Sequence, residues 1–268
     1  MTEAVAWTCP SCQDLVGTPY CPRCGERPLL ARELTLVGLG DQVFQSLTSI
    51  DGRLLNSFRT LVSRPGGLTV SFLRGRRKPF IGPVSLFLVT NVLFFATESL
   101  TGGTIFSTPL ESHLHTQPWS GAAQALVARR LASLHTTIDA YAPAFNAAIA
   151  LHARSLILLM ALSFAPLPAI VFRRARRPFA AHAVFSLHLY AFMLLLFCIG
   201  TMLPITLDDA VSISLVLTCG VYLYFAIGAV YGGSRLARVL RSAALTTGVA
   251  AIVLGYRFAL LLITLYST

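Results

Sequence analysis

The chain has 268 residues, of which 55% are hydrophobic and 12% are charged, and its formal net charge is +10. Soluble domains carry about 25% charged residues, so this composition argues against an ordinary soluble domain and favours a membrane protein. The basic residues adjoin apolar runs, which indicates topology signals and contact with anionic headgroups. No nucleic-acid partner is expected.

Two Cys-x-x-Cys pairs, eight residues apart, lie near the N-terminus. Each pair is a tight turn that offers two thiolates, and two such pairs at this spacing are typical of a zinc ribbon. We predict that residues 1–30 form a cytosolic ribbon with one zinc ion, although a redox-active pair and an iron site are alternatives. The intervening residues 13–20 are predicted to form a hairpin that turns at Gly17 and Pro19. The predicted ligands are Cys9, Cys12, Cys21 and Cys24.

Residues 31–79 are predicted to form amphipathic helices followed by a basic juxtamembrane segment. Apolar residues recur at helical spacing across 33–63, in two stretches too short to span a bilayer. The helices are expected in the membrane interface or packed against the underside of the bundle. The basic segment is predicted to orient the first span and to bind anionic lipid headgroups through Arg74, Arg76, Arg77 and Lys78.

Residues 80–268 are predicted to form an all-α transmembrane bundle of five spans. The apolar runs cover 80–97, 155–172, 183–203, 211–232 and 243–266. The second run contains Pro166 and Pro168 and is expected to kink or partly unwind. The fold class is therefore an all-α integral membrane protein with interfacial helices and a small N-terminal ribbon.

The basic residues predict how this bundle is oriented. The first thirty residues lack the apolar core of a secretion signal, so the N-terminus is expected in the cytosol. Five spans then place 17 of the 21 basic residues on the cytoplasmic side, and the C-terminus outside. The segment 98–154 is expected to be external, with one amphipathic helix that carries Val127, Leu131, Leu134, Ile138 and Tyr141 on one face.

Four polar residues inside or at the boundary of the apolar runs are candidates for a functional role. Arg257 is expected to snorkel outward or to contact a polar group such as Asp208, Asp209 or Glu98. His182 and His188 are six residues apart and therefore lie on different faces of one helix. They are expected to hydrogen-bond other helices, with haem or metal ligation and a proton-handling or ligand-contact role as alternatives. Asn91 is expected to bond a neighbouring helix. His113 and His115 form a weaker metal-binding pattern.

Several stretches of the chain resemble an uncharacterised bacterial family of zinc-ribbon membrane proteins, known as a domain of unknown function. The stretches are Tyr20-Cys-Pro-Arg-Cys-Gly25, Thr60-Leu-Val-Ser-Arg-Pro-Gly66, Phe72-Leu-Arg-Gly-Arg-Arg-Lys-Pro-Phe-Ile-Gly-Pro83 and His182-Ala-Val-Phe-Ser-Leu-His-Leu-Tyr-Ala-Phe192. The resemblance covers roughly residues 18–200. The resemblance implies the same architecture and a location in a bacterial inner membrane. It implies no activity.

No catalytic motif is visible in the sequence. We therefore expect a non-enzymatic scaffold or regulator whose zinc ribbon docks a cytosolic protein through hydrophilic residues. A small-solute transporter or channel-like subunit is one alternative, and it would use Arg257 and the kinked second span. The other is a membrane enzyme that acts on a lipid or quinone near His182 and His188. The ribbon residues expected to face a partner are Gln13, Asp14, Arg23 and Glu26.

Overall fold

The computed structural model describes residues 6–28, 52–202 and 209–268, with side chains from residue 213 onward in the last range. The N-terminal part is a cysteine ribbon, here defined as residues 6–28. The first predicted amphipathic stretch, residues 33–50, lies outside the described residues.

The described secondary structure is almost entirely helical. The ribbon contains two short strands, β1 (Trp7–Thr8) and β2 (Leu15–Val16), which pair antiparallel. Within the described residues, two helices precede the first membrane-length helix. They are α1 (Gly52–Ser63) and α2 (Gly67–Leu73). The remaining helices are α3 (Pro83–Thr101), α4 (Leu110–His115), α5 (Ser120–Leu134), α6 (Ile138–Ser163), α7 (Pro166–Val171), α8 (Phe179–Met202), α9 (Asp209–Val230) and α10 (Arg235–Ser267).

Five helical stretches in the described residues are long and apolar enough to cross a membrane, which confirms the predicted fold class. They are Pro83–Thr101, Ile138–Val171, Phe179–Met202, Ile213–Val230 and Arg235–Ser267. Helix α8 is the centre of the bundle, because 78% of its span is buried, against 33–39% in the other four. Its apolar residues occur on every face, as expected for a helix surrounded by others.

Two helix boundaries differ from the sequence prediction. The second span begins at Ile138 rather than near residue 155 and is interrupted after Ser163, just before Pro166. A proline lacks the N–H of a helical hydrogen bond, which explains the interruption. The single amphipathic helix predicted across 127–141 is wrong. Helix α5 ends at Leu134, and His135 adopts a left-handed conformation with φ of 51°.

The three basic segments of the bundle meet at one end. A guanidinium N–H of Arg177, between α7 and α8, donates to the carbonyl of Val230 at the end of α9 (2.7 Å). The guanidinium of Arg241, in the first turns of α10, lies 5.2 Å from the ring centroid of Phe172. The turn that follows α1 approaches α9 near the same end, at Gly66. The five-span arrangement predicted from apolarity therefore places these basic segments at the same end of the bundle.

Helix α2 packs into the bundle, against α8 and α9. Gly66, just before α2, has φ of 78°, and a Cβ there would lie 2.8 Å from the carbonyl oxygen of Ala226. Only a glycine combines this conformation with such a close approach of two backbones. The sequence Pro65-Gly66-Gly67 ends α1, as predicted, and also turns the chain inward. Leu68, Thr69 and Phe72 are buried as a result.

Candidate metal centre and the cavity beside it

The four predicted cysteine ligands converge at the tip of the ribbon. Their sulfur atoms all lie within 4.8 Å of one another. Two of the separations between the pairs are 3.4 Å, for Cys9–Cys24 and for Cys12–Cys21. A tetrahedral zinc thiolate site with Zn–S of about 2.3 Å requires S–S distances of about 3.8 Å. The arrangement therefore suits one tetrahedral metal ion, and all four cysteines are free thiols rather than disulfides.

The two cysteine pairs have the same backbone geometry. In the first turn the N–H of Gln13 donates to the carbonyl of Cys9 (2.8 Å), and in the second the N–H of Gly25 donates to that of Cys21 (2.7 Å). Gln13 and Gly25 both adopt a left-handed conformation, with φ of 63° and 68°. The predicted hairpin between the pairs is wrong. The strands β1 and β2 instead enclose the first turn, because Trp7 pairs with Val16 and Thr8 with Leu15.

The local environment prepares one thiol for ionisation. Burial opposes the charge on Cys9, but N–H groups of Cys12 and Ser11 and the neighbouring thiols of Cys24 and Cys12 stabilise it. Together they lower the pKa of Cys9 to about 7. Burial raises the pKa of Cys24. Since only thiolates ligate a metal, the protons of the remaining thiols must leave when the ion binds.

Glu26 connects the ribbon to the segment that precedes the first span. Its side chain is only 2% exposed. Its Oε2 accepts hydrogen bonds from the hydroxyl of Ser11 (2.8 Å) and from the backbone N–H groups of Arg77 (3.1 Å) and Lys78 (3.0 Å). A buried carboxylate that receives several donors is well compensated for desolvation. Glu26 therefore does not face a protein partner, contrary to the sequence prediction, but holds the ribbon on its own bundle.

A cavity of about 470 Å³ lies between the ribbon and the bundle. Five cationic side chains line it, with Glu26 as the one carboxylate among the lining residues. Four apolar side chains, from α2 and from the residues just before α3, line the rest, together with His188 of α8. The cations are Arg27, Arg53, Arg76, Arg77 and Lys78, and the apolar side chains are Leu68, Phe72, Phe80 and Ile81. Arg74, also predicted to bind headgroups, is exposed and lies outside this lining.

The two histidines of α8 contact different elements. Nδ1 of His188 lies 2.8 Å from the hydroxyl of Thr69, and both side chains are buried. Nδ1 of His182 lies 2.8 Å from the hydroxyl of Tyr231. The ring of Tyr231 also stacks on Phe172 at a centroid distance of 3.8 Å. His182 thus connects the first turn of α8 to Tyr231, just after α9, whereas His188 lines the cavity.

Arg257 occupies the opposite end of the bundle. It is 22 residues into α10, about 33 Å from the start of that helix. One guanidinium N–H donates to the hydroxyl of Thr108 (3.0 Å), which is buried in the segment between α3 and α4. Asp208 and the side chain of Asp209 lie outside the described residues. Glu98 is buried and accepts the backbone N–H of Phe106 (3.3 Å).

The remaining candidates do not form a site. Oδ1 of Asn91 is buried and accepts no hydrogen bond from the described residues, so the predicted bond to a neighbouring helix is not formed through this oxygen. His113 is fully buried and accepts the indole N–H of Trp119 (3.2 Å), whereas His115 is exposed. The two histidines therefore do not converge on one metal.

Sequence reasoning missed the roles of Glu26, Thr69 and His113. All three are polar side chains with less than 3% exposure. The available signal was weak: Glu26 directly follows the second cysteine turn, and Thr69 interrupts an otherwise apolar helix.

Five membrane-length helical stretches among the described residues and a four-cysteine head define a multi-pass membrane protein with a candidate N-terminal metal site. Residues 51–95 are similar to a family model described as "Protein of unknown function (DUF3667)". The match covers α1, α2, the basic segment and part of α3. Two of the stretches quoted for the family resemblance, 60–66 and 72–83, fall inside it, while 20–25 and 182–192 fall outside. No curated protein and no solved structure matches the chain.

Proposed function

We propose that this chain is a zinc-dependent scaffold or regulator in the bacterial inner membrane, without enzymatic activity. Its ribbon lies on the cytosolic side, where thiols stay reduced and metal binding is favoured over disulfides. Zinc is the proposed ion because four thiolates in tetrahedral reach are its preferred structural ligand set. A ribbon of this size has almost no core of its own, so the ion supplies its stability.

The buried carboxylate of Glu26 supports this proposal most directly. It follows the second pair of ligands by two residues and binds the backbone of Arg77 and Lys78, a few residues before the first span. A change in the metal-bound turn is therefore transmitted to the juxtamembrane backbone through one side chain. We propose that the opposite surface of the ribbon, where Gln13 and Arg23 are exposed, receives the cytosolic protein.

Metal analysis of the purified full-length chain tests the zinc site. We expect one zinc per chain, which is lost when Cys21 is changed to Ser. Hydrogen exchange then tests the connection to the membrane. Removal of the metal should raise the exchange of the Arg77 and Lys78 amides, because their acceptor is released. Unchanged exchange in the metal-free protein would contradict the regulatory role.

A matched pair of acidic variants separates Glu26 from a general effect of charge. Glu26→Ala should raise the exchange of the same two amides even with zinc bound. Asp14→Asn should not, because Asp14 pairs with Arg23 on the ribbon itself, at 3.2 Å. An equal effect of the two variants would remove the role assigned to Glu26.

A further inference from the structure

We propose that the cavity between the ribbon and the bundle binds an anionic lipid, with its phosphate-bearing headgroup among the cations and its apolar chain on the floor. The inference rests on the proposed function in that the ribbon residues Tyr20, Gly25, Glu26 and Arg27 form part of the cavity wall. The volume of about 470 Å³ lies in the range of roughly 300–1,000 Å³ found for ligand sites.

The positive charge of the cavity lining favours an anionic ligand. Five cationic side chains line the cavity, together with one carboxylate, that of Glu26. Both oxygens of this carboxylate already accept hydrogen bonds from N–H groups of the chain. Arg53 donates one N–H to the carbonyl of Phe80 (2.8 Å), whereas the side chains of Arg76 and Lys78 are exposed and make no hydrogen bond to the described residues. A guanidinium carries five N–H groups in a fork that suits phosphate oxygens. The site therefore has donors left for a ligand.

The position of the cavity favours a lipid over a free ion. Gly82, the residue that caps the first span, lies in its wall, so the cavity opens where a headgroup layer would begin. The N-terminus of α3 adds a favourable dipole for an anion at the same place. Leu68 and Phe72 of α2, with Phe80 and Ile81, supply an apolar surface that a hydrated phosphate ion would not use.

His188 extends the polar lining inward. It lies nine residues into α8, about 13 Å along the helix. The hydroxyl of Thr69 engages Nδ1 and fixes the ring, so Nε2 is the nitrogen left to hydrogen-bond a polar group of the ligand below its phosphate. An ester group next to the acyl chains is such a group. The hydrogen bond between Thr69 and His188 offsets part of the cost of burying these two polar side chains, and a ligand acceptor at Nε2 would offset the remainder.

Lipid titration of the purified full-length protein in neutral detergent, followed by native mass spectrometry, tests the proposal. The probes are short-chain phosphatidylglycerol, phosphatidylcholine with the same chains, and inorganic phosphate. We expect phosphatidylglycerol to bind at least tenfold more tightly than either of the others. Equal affinity for the two lipids would overturn the proposal. Inorganic phosphate that binds as tightly as phosphatidylglycerol would assign the site to a free ion and overturn it as well.

Two double variants with the same change of charge provide the control. Arg76→Gln with Lys78→Gln removes two cations of the lining, and roughly tenfold weaker binding of phosphatidylglycerol is expected. Arg59→Gln with Arg64→Gln removes two exposed cations outside the lining and should change binding less than twofold. Equal losses of affinity in the two double variants would mean that phosphatidylglycerol binds through general surface charge and not at this cavity.

His188→Phe keeps a ring of similar size without the hydrogen bond. It should weaken lipid binding severalfold in protein that retains the wild-type thermal midpoint, and unchanged binding would contradict the role of the imidazole. If His188→Phe does not fold, the two double variants of basic residues still test the proposed lipid site. Zinc content is measured in every sample, so a failed lipid site with intact metal binding is distinguishable from a failed metal site.

Discussion

At the scale of single residues, two basic groups meet at the end of the bundle opposite the ribbon. Burial and, to a smaller extent, the positive charge of Arg257 together lower the pKa of His113 to about 4. Because Nδ1 accepts the indole N–H of Trp119, the neutral ring carries its proton on Nε2. That N–H is buried and has no partner in the part of the chain that the structure describes.

The bundle should therefore lose stability on mild acidification. An unfolded histidine titrates near 6.5, so between that pH and the folded pKa of about 4 the unfolded chain binds the extra proton. Stability is present above pH 6.5 and is lost as the pH falls toward 4. Thermal melts across this range should show a smaller loss for His113→Asn than for wild type. His115→Asn, at an exposed position of the same helix, is the control and should behave like wild type.

Arg257→Leu extends the same test. The variant should insert normally, since the span becomes more apolar, and should lose about 1 kcal/mol with the bond to Thr108. It should also raise the pKa of His113, because the opposing charge is gone. Thr108→Val should lose the bond without this change in the pH dependence. If Arg257→Leu lost stability with falling pH in the same way as wild type, the effect of the Arg257 charge on His113 would be contradicted.

At the scale of elements, the short helix α2 is the least obvious feature of the sequence. Its seven residues are too few to span a membrane, yet three of them are buried against α8 and α9. Apolarity predicts that such a segment will bury a face but does not say against what. The same limit explains the wrong helix across 127–141. The apolar stripe continues past His135, while the backbone changes direction there.

Gly66→Ala should dislodge α2. The new Cβ would lie 2.8 Å from the carbonyl oxygen and 3.0 Å from the Cα of Ala226, and the positive φ adds strain. Gly102→Ala is the matched control, because Gly102 has φ of 72° and open space around it. We expect a loss of about 1 kcal/mol for Gly102→Ala and clearly more, about 3 kcal/mol, for Gly66→Ala. Equal thermal shifts would mean that the close approach to Ala226 is not rigid.

At the scale of the whole molecule, the grouping of the basic loops predicts the orientation. Five spans place the ribbon, the basic segment, the loop with Arg177 and the first turns of α10 with Arg241 at one end. Cytoplasmic flanks carry the excess of arginine and lysine, so this end is predicted to be cytosolic and the C-terminus external.

Cysteine labelling tests this topology in intact cells. In a background with all six native cysteines replaced, Ser120→Cys should react with an impermeant reagent from outside. Ala175→Cys should react only after the membrane is opened. Thr268→Cys should behave like position 120. Protection of position 268 in intact cells would show that the number of spans or the orientation is wrong.

The sequence by itself determined the number of spans, the four-cysteine cluster and the distribution of positive charge. Each depends on residue type and local spacing: a span needs a run of apolar residues, and a metal turn needs two cysteines three positions apart. The tertiary structure decided which polar side chains meet. Glu26 binds the backbone 51 residues later, and Thr69 meets His188 across 119 residues. Such pairs form because packing brings distant elements together and buried polar groups must find partners there, so spacing along the chain does not encode them.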